Sequence, residues 1–237
     1  MLETACGEFA RHGFAAARIR DIVEGAGVNL AAVNYHFGGK DGLYQATLAH
    51  LARETRLASA IDSPELRAMP PQEQFRAYVR VMLMRYLGQA QAAPLSRIIA
   101  HELLDPTPAF GEVVQGITKP QLERLEEIVR ALLGPRASED DVNLASLSAV
   151  SQWAFFLFGR RLFEAQYPAL AADPSRVDRL TDHIAASSLA AMRETRLCLE
   201  GESPRKGAQA RPAPAKGKVG VDRAGRGARR RPADDPG

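Results

Sequence analysis

The sequence predicts an all-α protein of about nine helices, three in a small N-terminal group and the rest in a C-terminal bundle. Apolar residues recur at three- and four-residue spacing over most of the chain, no strand-like alternation runs beyond a few residues, and Gly and Pro punctuate the apolar segments. Composition agrees, because Ala, Leu and Arg recur throughout and aromatic residues make up only 6%. At 237 residues and 46% hydrophobic, the chain can bury a substantial core in one or two domains.

The elements follow in order. Leu2, Ala5, Cys6, Phe9 and Ala10 form one stripe of a first helix that stops at Gly13. Ile19, Ile22, Val23 and Ala26 form a second, short stripe ended by Gly27. A third helix starts at Asn29, a good N-cap residue, and runs through Leu30 and Val33 to Phe37, where Gly38-Gly39 breaks it. A fourth starts near Lys40 or Asp41, with Leu43, Ala46, Thr47, Leu51 and Ala52 on its apolar side. Longer helices are then predicted over Gln72–Gln89, Leu95–Leu104, Ala109–Leu133, Val142–Gln166 and from Pro174 to near Leu199, with Pro120 a kink or a boundary. Residues 201–237 are Gly, Pro, Ala and Arg in no periodic order, too poor in apolar surface to offset their ordering entropy, and are expected to be disordered.

Charge is unevenly placed. Ten basic residues and four acids from Gly201 onward give the tail +6, so residues 1–200 carry −3 of the formal total of +3. The pI near 9.0 therefore belongs to the tail and says nothing of the folded part. The two cysteines, Cys6 and Cys198, sit in no CxxC spacing and beside no His cluster, so reduced thiols are expected, with neither a metal site nor a disulfide. The strongest apolar run, Ala154 to Phe158, ends at Gly159-Arg160-Arg161, too short to span a bilayer. No basic residue precedes Arg11, which argues against a secretory signal. These features predict a soluble, cytoplasmic protein with no membrane partner. No GxSxG, P-loop, glycine fingerprint or paired carboxylates on one helix face is present, so no enzyme, catalytic residue or cofactor is expected.

The informative stretch is Ile19 to Phe37, two short helices with a glycine at the bend. Gly27 can adopt the left-handed conformation that a sharp turn requires. Ile22, Val23, Val28, Val33 and Phe37 are expected to pack inward and fix the crossing angle. Asn29, Leu30, Ala31, Ala32, Asn34, Tyr35 and His36 are left at the start or on the outside of the second helix. Small side chains at Ala31 and Ala32 allow close approach to base edges, and Ala can touch a thymine methyl. Asn34 suits adenine, while Tyr35, His36 and Lys40 suit phosphate oxygens; a core role for His36 is the alternative.

This stretch resembles the TetR/AcrR family of bacterial one-component regulators. The likeness lies in Phe9-Ala10, His12-Gly13-Phe14, Arg20-Asp21-Ile22, Gly27-Val28, and Tyr35-His36-Phe37 followed by Lys40 and Leu43-Tyr44. The wording from Gly27 to Lys40, and His101-Glu102 followed by Pro106 and Pro108-Ala109-Phe110, are similar to the CecR-like branch. The likeness is dense over residues 1–45 and sparse over 95–125. It implies a helix-turn-helix over Arg18–Phe37 within a DNA-binding domain of residues 1–45, an effector-binding and dimerisation domain over 46–199, and the tail from 200. It further implies a homodimer formed through the last two helices, two recognition helices about 34–36 Å apart on a palindromic operator, and release of a repressor by a small molecule. Arg18, Arg20, Asn29, Leu30, Ala31, Ala32, Asn34, Tyr35, His36 and Lys40 are the DNA-contacting candidates.

Two departures from the family stand out. Ala17 occupies the position where a Thr or Ser normally caps the second helix and holds a phosphate, an omission of about 1 kcal/mol; Arg18 is expected to supply the phosphate contact. Met1 falls inside the first helix, where the family has a basic stretch ahead of it, so a late start or a missing N-terminal segment is expected. Residues 1–45 hold four bases against five acids, predicting weak electrostatic attraction to DNA. Arg97, His101, Gln152, Trp153, Phe156 and Arg160 are the effector-contacting candidates, His101-Glu102 being either structural or a ligand contact. The rival reading is a helical small-molecule-binding or scaffold protein without specific DNA binding.

Overall fold

The computed structural model describes residues 1–57, 60–87 and 94–201. Among these residues the chain is helical throughout, with no strand. The predicted end of one helix at Gln89, and the tail expected to be disordered, lie outside the described residues.

The first four helices are α1 (Leu2–Ala16), α2 (Ile19–Ala26), α3 (Leu30–Phe37) and α4 (Lys40–Leu57). After a 3₁₀ turn come α5 (Pro64–Arg67), α6 (Pro71–Leu87), α7 (Pro94–Leu104), α8 (Phe110–Val113), a π-helical turn over Val114–Thr118, α9 (Lys119–Leu133), α10 (Glu139–Gln166), α11 (Pro168–Ala172) and α12 (Arg176–Gly201). The short α5, α8 and α11 add to the helices read from the pattern. Pro120 proves to be a boundary: it sits in the first turn of α9, where its missing N–H is not needed. Gly13 does not end α1 outright. It takes φ 70°, ψ 176° inside the helix, kinking it so that the chain runs on to Ala16.

Two apolar clusters form the interior, and they do not divide at residues 45/46, which fall within α4. One joins the N-terminal helices to α7 and α8, with Phe9, Ile22, Val33, Leu43 and Leu48 packed with Leu95, Ile98 and Val113. The other lies among α6, α9, α10 and α12, around Phe75, Val79, Leu83, Leu125, Val129 and Trp153. The N-terminal helices therefore rest on α7, the helix that also faces α10. A buried polar tie reinforces that seat. The Tyr44 hydroxyl of α4 donates to Glu102 Oε1 of α7 at 2.6 Å, and Glu102 also accepts from Thr107 N (3.1 Å) and Thr107 Oγ1 (2.8 Å). Burial first, then the Glu102 bond and charge, push the Tyr44 hydroxyl well above its ordinary range, so it remains a donor.

The α10 helix starts at a capping box formed by Ser138 and Asp141. One side, Val142, Ser146, Ala149, Trp153, Phe156 and Phe163, is buried. The opposite side leaves Leu144, Leu147, Phe155, Phe158 and Leu162 at 45–65% exposure. Although its apolar runs are short, an 18-residue window of this helix has mean hydropathy 1.3, so by length and composition it is apolar enough to cross a membrane. Only 28% of that window is buried. The sequence reading overlooked this because Ser, Gln and Gly interrupt the apolar residues without lowering the average enough.

Candidate nucleic-acid interface and effector cavity

The turn between α2 and α3 forms as local chemistry dictates. Gly27 takes φ 66°, ψ 30°, and its N–H bonds back to Val23 and Glu24 carbonyls, closing α2. Asn29 then opens α3, its side-chain oxygen accepting the Ala32 N–H at 2.9 Å. Gly38 ends α3 at φ 72°. Ile22 and Val33 are fully buried and Val23 nearly so, which anchors both helices to the N-terminal core. Phe37 is half-buried. Val28 departs from expectation: it is 38% exposed, because it occupies the link between the glycine and the cap rather than a helix face.

The outer surface of α3 is free of the protein's own bundle. Tyr35 is 85% exposed and Leu30 47%; Asn29, Ala31, Asn34 and His36 are exposed, and Ala32 is half-buried. The Tyr35 and His36 rings meet edge to face at 4.9 Å. The result is a short, protruding helix with small side chains near its start and polar or aromatic ones near its end, a shape suited to a major groove.

The start of α2 lacks a side-chain cap from Arg18 or its neighbours, as Ala17 predicts. A carboxylate from α1 reaches it instead: Glu8 Oε1 accepts the Arg18 N–H at 3.4 Å. Glu8 is buried and also pairs with Arg11 (3.5 Å) and lies 3.7 Å from His12 Nε2. Sequence reasoning missed this contact; its only local signal is an acid set among the buried Ala5, Cys6, Phe9 and Ala10. Arg18 and Arg20 are exposed beside the first-turn amides of α2. Lys40 is occupied differently from expectation. Its Nζ donates to the Ala15 carbonyl at 3.0 Å and lies 4.9 Å above the Phe14 ring, strapping the start of α4 to the end of α1.

A cavity of about 660 Å³ opens between α1, α7 and α10. Four of the six effector candidates, Arg97, His101, Phe156 and Arg160, line it together with Arg11, Ser96, Tyr86, Phe158 and Arg161. Trp153 lies elsewhere, buried in the second core with its ring 5.9 Å from that of Tyr78. Gln152 is drawn to α12, bonded to Ser188 Oγ (2.8 Å) and Ser187 Oγ (3.2 Å). His101 and Glu102 point to different places, as adjacent helical residues must. Glu102 makes the buried tie to Tyr44, and the His101 ring packs on Gly13, where an added Cβ would lie 3.1 Å from Nδ1.

Comparison with known proteins agrees with this geometry. Residues 71–192 match the family described as "HTH-type transcriptional dual regulator CecR, C-terminal domain", and residues 1–47 match "Bacterial regulatory proteins, tetR family". The chain is similar to the HTH-type transcriptional dual regulator CecR of Shigella flexneri, at 28% identity over 68% of this chain and 75% of that one. It is also similar to the HTH-type transcriptional regulatory protein RaaS of Mycobacterium tuberculosis, at 30% identity over 50% of this chain and 58% of that one. Among solved structures, HlyIIR, a haemolysin II transcriptional regulator, shares the fold with TM-score 0.51 and 18% identity, over 77% of this chain and 93% of the other. A variant of HlyIIR with an internal linker gives TM-score 0.52 at 18% identity, over 76% and 92%.

Proposed function

This chain belongs to the TetR family of bacterial transcription regulators, in its CecR-like branch, and from that membership we propose that it is a homodimeric repressor released from a palindromic operator by a small molecule. It is a DNA-binding transcriptional regulator rather than an enzyme, as its relatives are. Residues 1–45 carry the DNA contacts, residues 46–199 the effector and dimer contacts, and the protein works in the cytoplasm. The observation that carries this reading is the outward face of α3, capped at Asn29 and exposed through Tyr35.

In this mechanism Leu30, Ala31, Ala32 and Asn34 face base edges, while Asn29, Tyr35, His36, Arg18 and Arg20 hold phosphates. The first-turn amides of α2, without a side-chain cap, add donors for a phosphate oxygen. Lys40 contributes by fixing α4 on α1 more than by reaching DNA. The second copy packs on the apolar outer stripe of α10 and on α12, covering Leu144, Leu147, Phe155, Phe158 and Leu162, which one chain leaves 45–65% exposed. Because both recognition helices must engage together, a small change in their spacing lowers affinity; a coupling of roughly 1–3 kcal/mol suffices for a switch.

Fluorescence anisotropy with the DNA upstream of the protein's own gene tests the proposal. The expected result is sequence-specific, salt-sensitive binding by a species of twice the monomer mass, lost in a Tyr35→Ala, His36→Ala double variant that keeps its helical circular dichroism. Full-strength binding that survives this change would remove Tyr35 and His36 as phosphate contacts, and specific binding that survives Asn34→Ala with Ala31→Glu would remove α3 as the reading element. Failure to bind any operator fragment, in a folded dimer, would favour a helical small-molecule-binding protein without DNA specificity.

A further inference from the structure

The cavity between α1, α7 and α10 is unevenly furnished, and its chemistry limits what can enter. One part of its wall is apolar: Phe156, Leu157, Phe158 and the ring of Tyr86. The other part is cationic, with Arg11, Arg97, Arg160 and Arg161 against one acid, Glu164, among the described residues. Two of these arginines already have partners. Arg160 Nε pairs with Glu164 at 2.8 Å, and Arg11 bonds the Gly7 carbonyl (3.1 Å) and Glu8 (3.5 Å). Among the described residues, Arg97 and Arg161 form no ion pair, so two positive charges line the cavity unneutralised. Both are exposed on the open side of the cavity, where they can meet an entering anion. The buried hydroxyl of Ser96, on the same wall, has no hydrogen-bond partner among the described residues either. Buried polar atoms are ordinarily partnered, so this hydroxyl is available to an acceptor that enters the cavity it shares with Arg97 and Arg161.

We propose that this cavity binds an organic anion, an aromatic or other apolar frame bearing a carboxylate, sulfonate or phosphate, with the acid group on Arg97, Arg161 and Ser96 and the frame against Phe156 and Tyr86. A planar guanidinium matches any of these acid groups with paired donors. The volume of about 660 Å³ is that of a small-molecule site. The Tyr86 hydroxyl, raised above its ordinary range by burial, adds a neutral donor and no competing charge. One wall belongs to α1 through Ala10 and Arg11, so the occupant touches the DNA-binding helices directly as well as α10. The inference rests on the effector-responsive reading above and names the chemical class of that effector.

The test uses two fluorescent probes of nearly equal shape: anilinonaphthalene sulfonate, which is anionic, and phenylnaphthylamine, which is neutral. The unaltered full-length chain is expected to bind the sulfonate at least about tenfold more tightly, with the preference shrinking in high salt. An Arg97→Gln, Arg161→Gln double variant is expected to lose that preference, and Ser96→Ala to lose part of it. Equal affinity for the two probes on the unaltered protein overturns the inference, and so does an unchanged preference in a folded double variant. If the double variant does not fold, the two-probe comparison on the unaltered chain decides alone. Operator binding measured in parallel separates the two readings. Specific DNA binding without sulfonate preference sinks the anion and leaves the regulator; sulfonate preference without DNA binding does the reverse.

Discussion

Tyr44→Phe removes a single oxygen atom from the interior, and its cost can be worked from the contacts around it. Tyr44 and Glu102 are 2% and 1% exposed, so water cannot easily replace the lost donor. The ring contacts survive the change, because a phenyl ring in the same place would still meet Phe9 and Phe14, whose rings lie 4.8 Å and 5.0 Å from that of Tyr44. Glu102 would keep both bonds from Thr107, so it would be under-bonded rather than stranded. A hydrogen bond to a charged acceptor contributes about 1.5–3 kcal/mol, which places the expected loss near 2 kcal/mol. In a folded unit of this size, that lowers Tm by about 4–8 °C. Urea unfolding followed by circular dichroism, with thermal melts alongside, measures both quantities. Tyr35→Phe is the control: at 85% exposure it should change stability by less than about 0.5 kcal/mol. A Tyr44→Phe loss no larger than the control's would refute the claim that this bond seats the N-terminal helices on α7. The raised Tyr44 hydroxyl also fixes a pH dependence. Its contribution is fully present below its unfolded value of about 10 and is lost as pH rises beyond it.

Other changes have equally definite outcomes. Asn29→Ala removes the cap of α3 and should cost about 1 kcal/mol in urea unfolding while weakening operator binding in anisotropy. Gly13→Ala forces a side chain into φ 70° and against the His101 ring, so a loss of about 1–3 kcal/mol is expected; an unchanged melt would argue against the kink. Hydrogen bonds from Arg179 and Ser175 lower the Asp173 carboxyl to about 2, so the stability it adds is present above its unfolded value and lost as pH falls through about 2. Asp173→Asn should flatten the acid limb of a pH–Tm curve, and an identical limb would count against the pairing. Burial pushes the Cys6 thiol up to about 11, while Cys198 is exposed. At pH 8 one thiol should react quickly with a disulfide reagent and the second only on unfolding; two fast thiols would contradict the buried site.

What could be read from the sequence was local. Gly27, Asn29 and Gly38 declare their conformations through their own side chains or lack of one, so the turn and the cap were legible before any packing was known. The helical periods likewise located α6, α9, α10 and α12, since each buries one stripe. Contacts between distant segments were not legible. Nothing near Lys40 announces the Ala15 carbonyl, and nothing near Arg18 announces Glu8. The aromatic residues of α10 could not be sorted by type: Phe156 joins the core and also borders the cavity, while Trp153 lies in the core alone. The inward reading of Val28 failed because hydrophobicity was weighed without the geometry of the three-residue link Gly27-Val28-Asn29.

The contact from Glu8 to Arg18 has a consequence for how this chain can change over time. In most sequences the residue that starts a helix also caps it, so one codon controls both. Here the start of α2 has no side-chain cap, and the Arg18 N–H instead bonds Glu8, ten positions earlier on another helix. Ala17 is itself buried in the N-terminal core, and Glu8 is held in place by a duty that no reading of its own helix reveals. The start of α2 is thereby tied to the seating of the helix before it, and a disturbance of that helix from the cavity side would reach the reading head through this carboxylate as well as through the apolar core the two helices share.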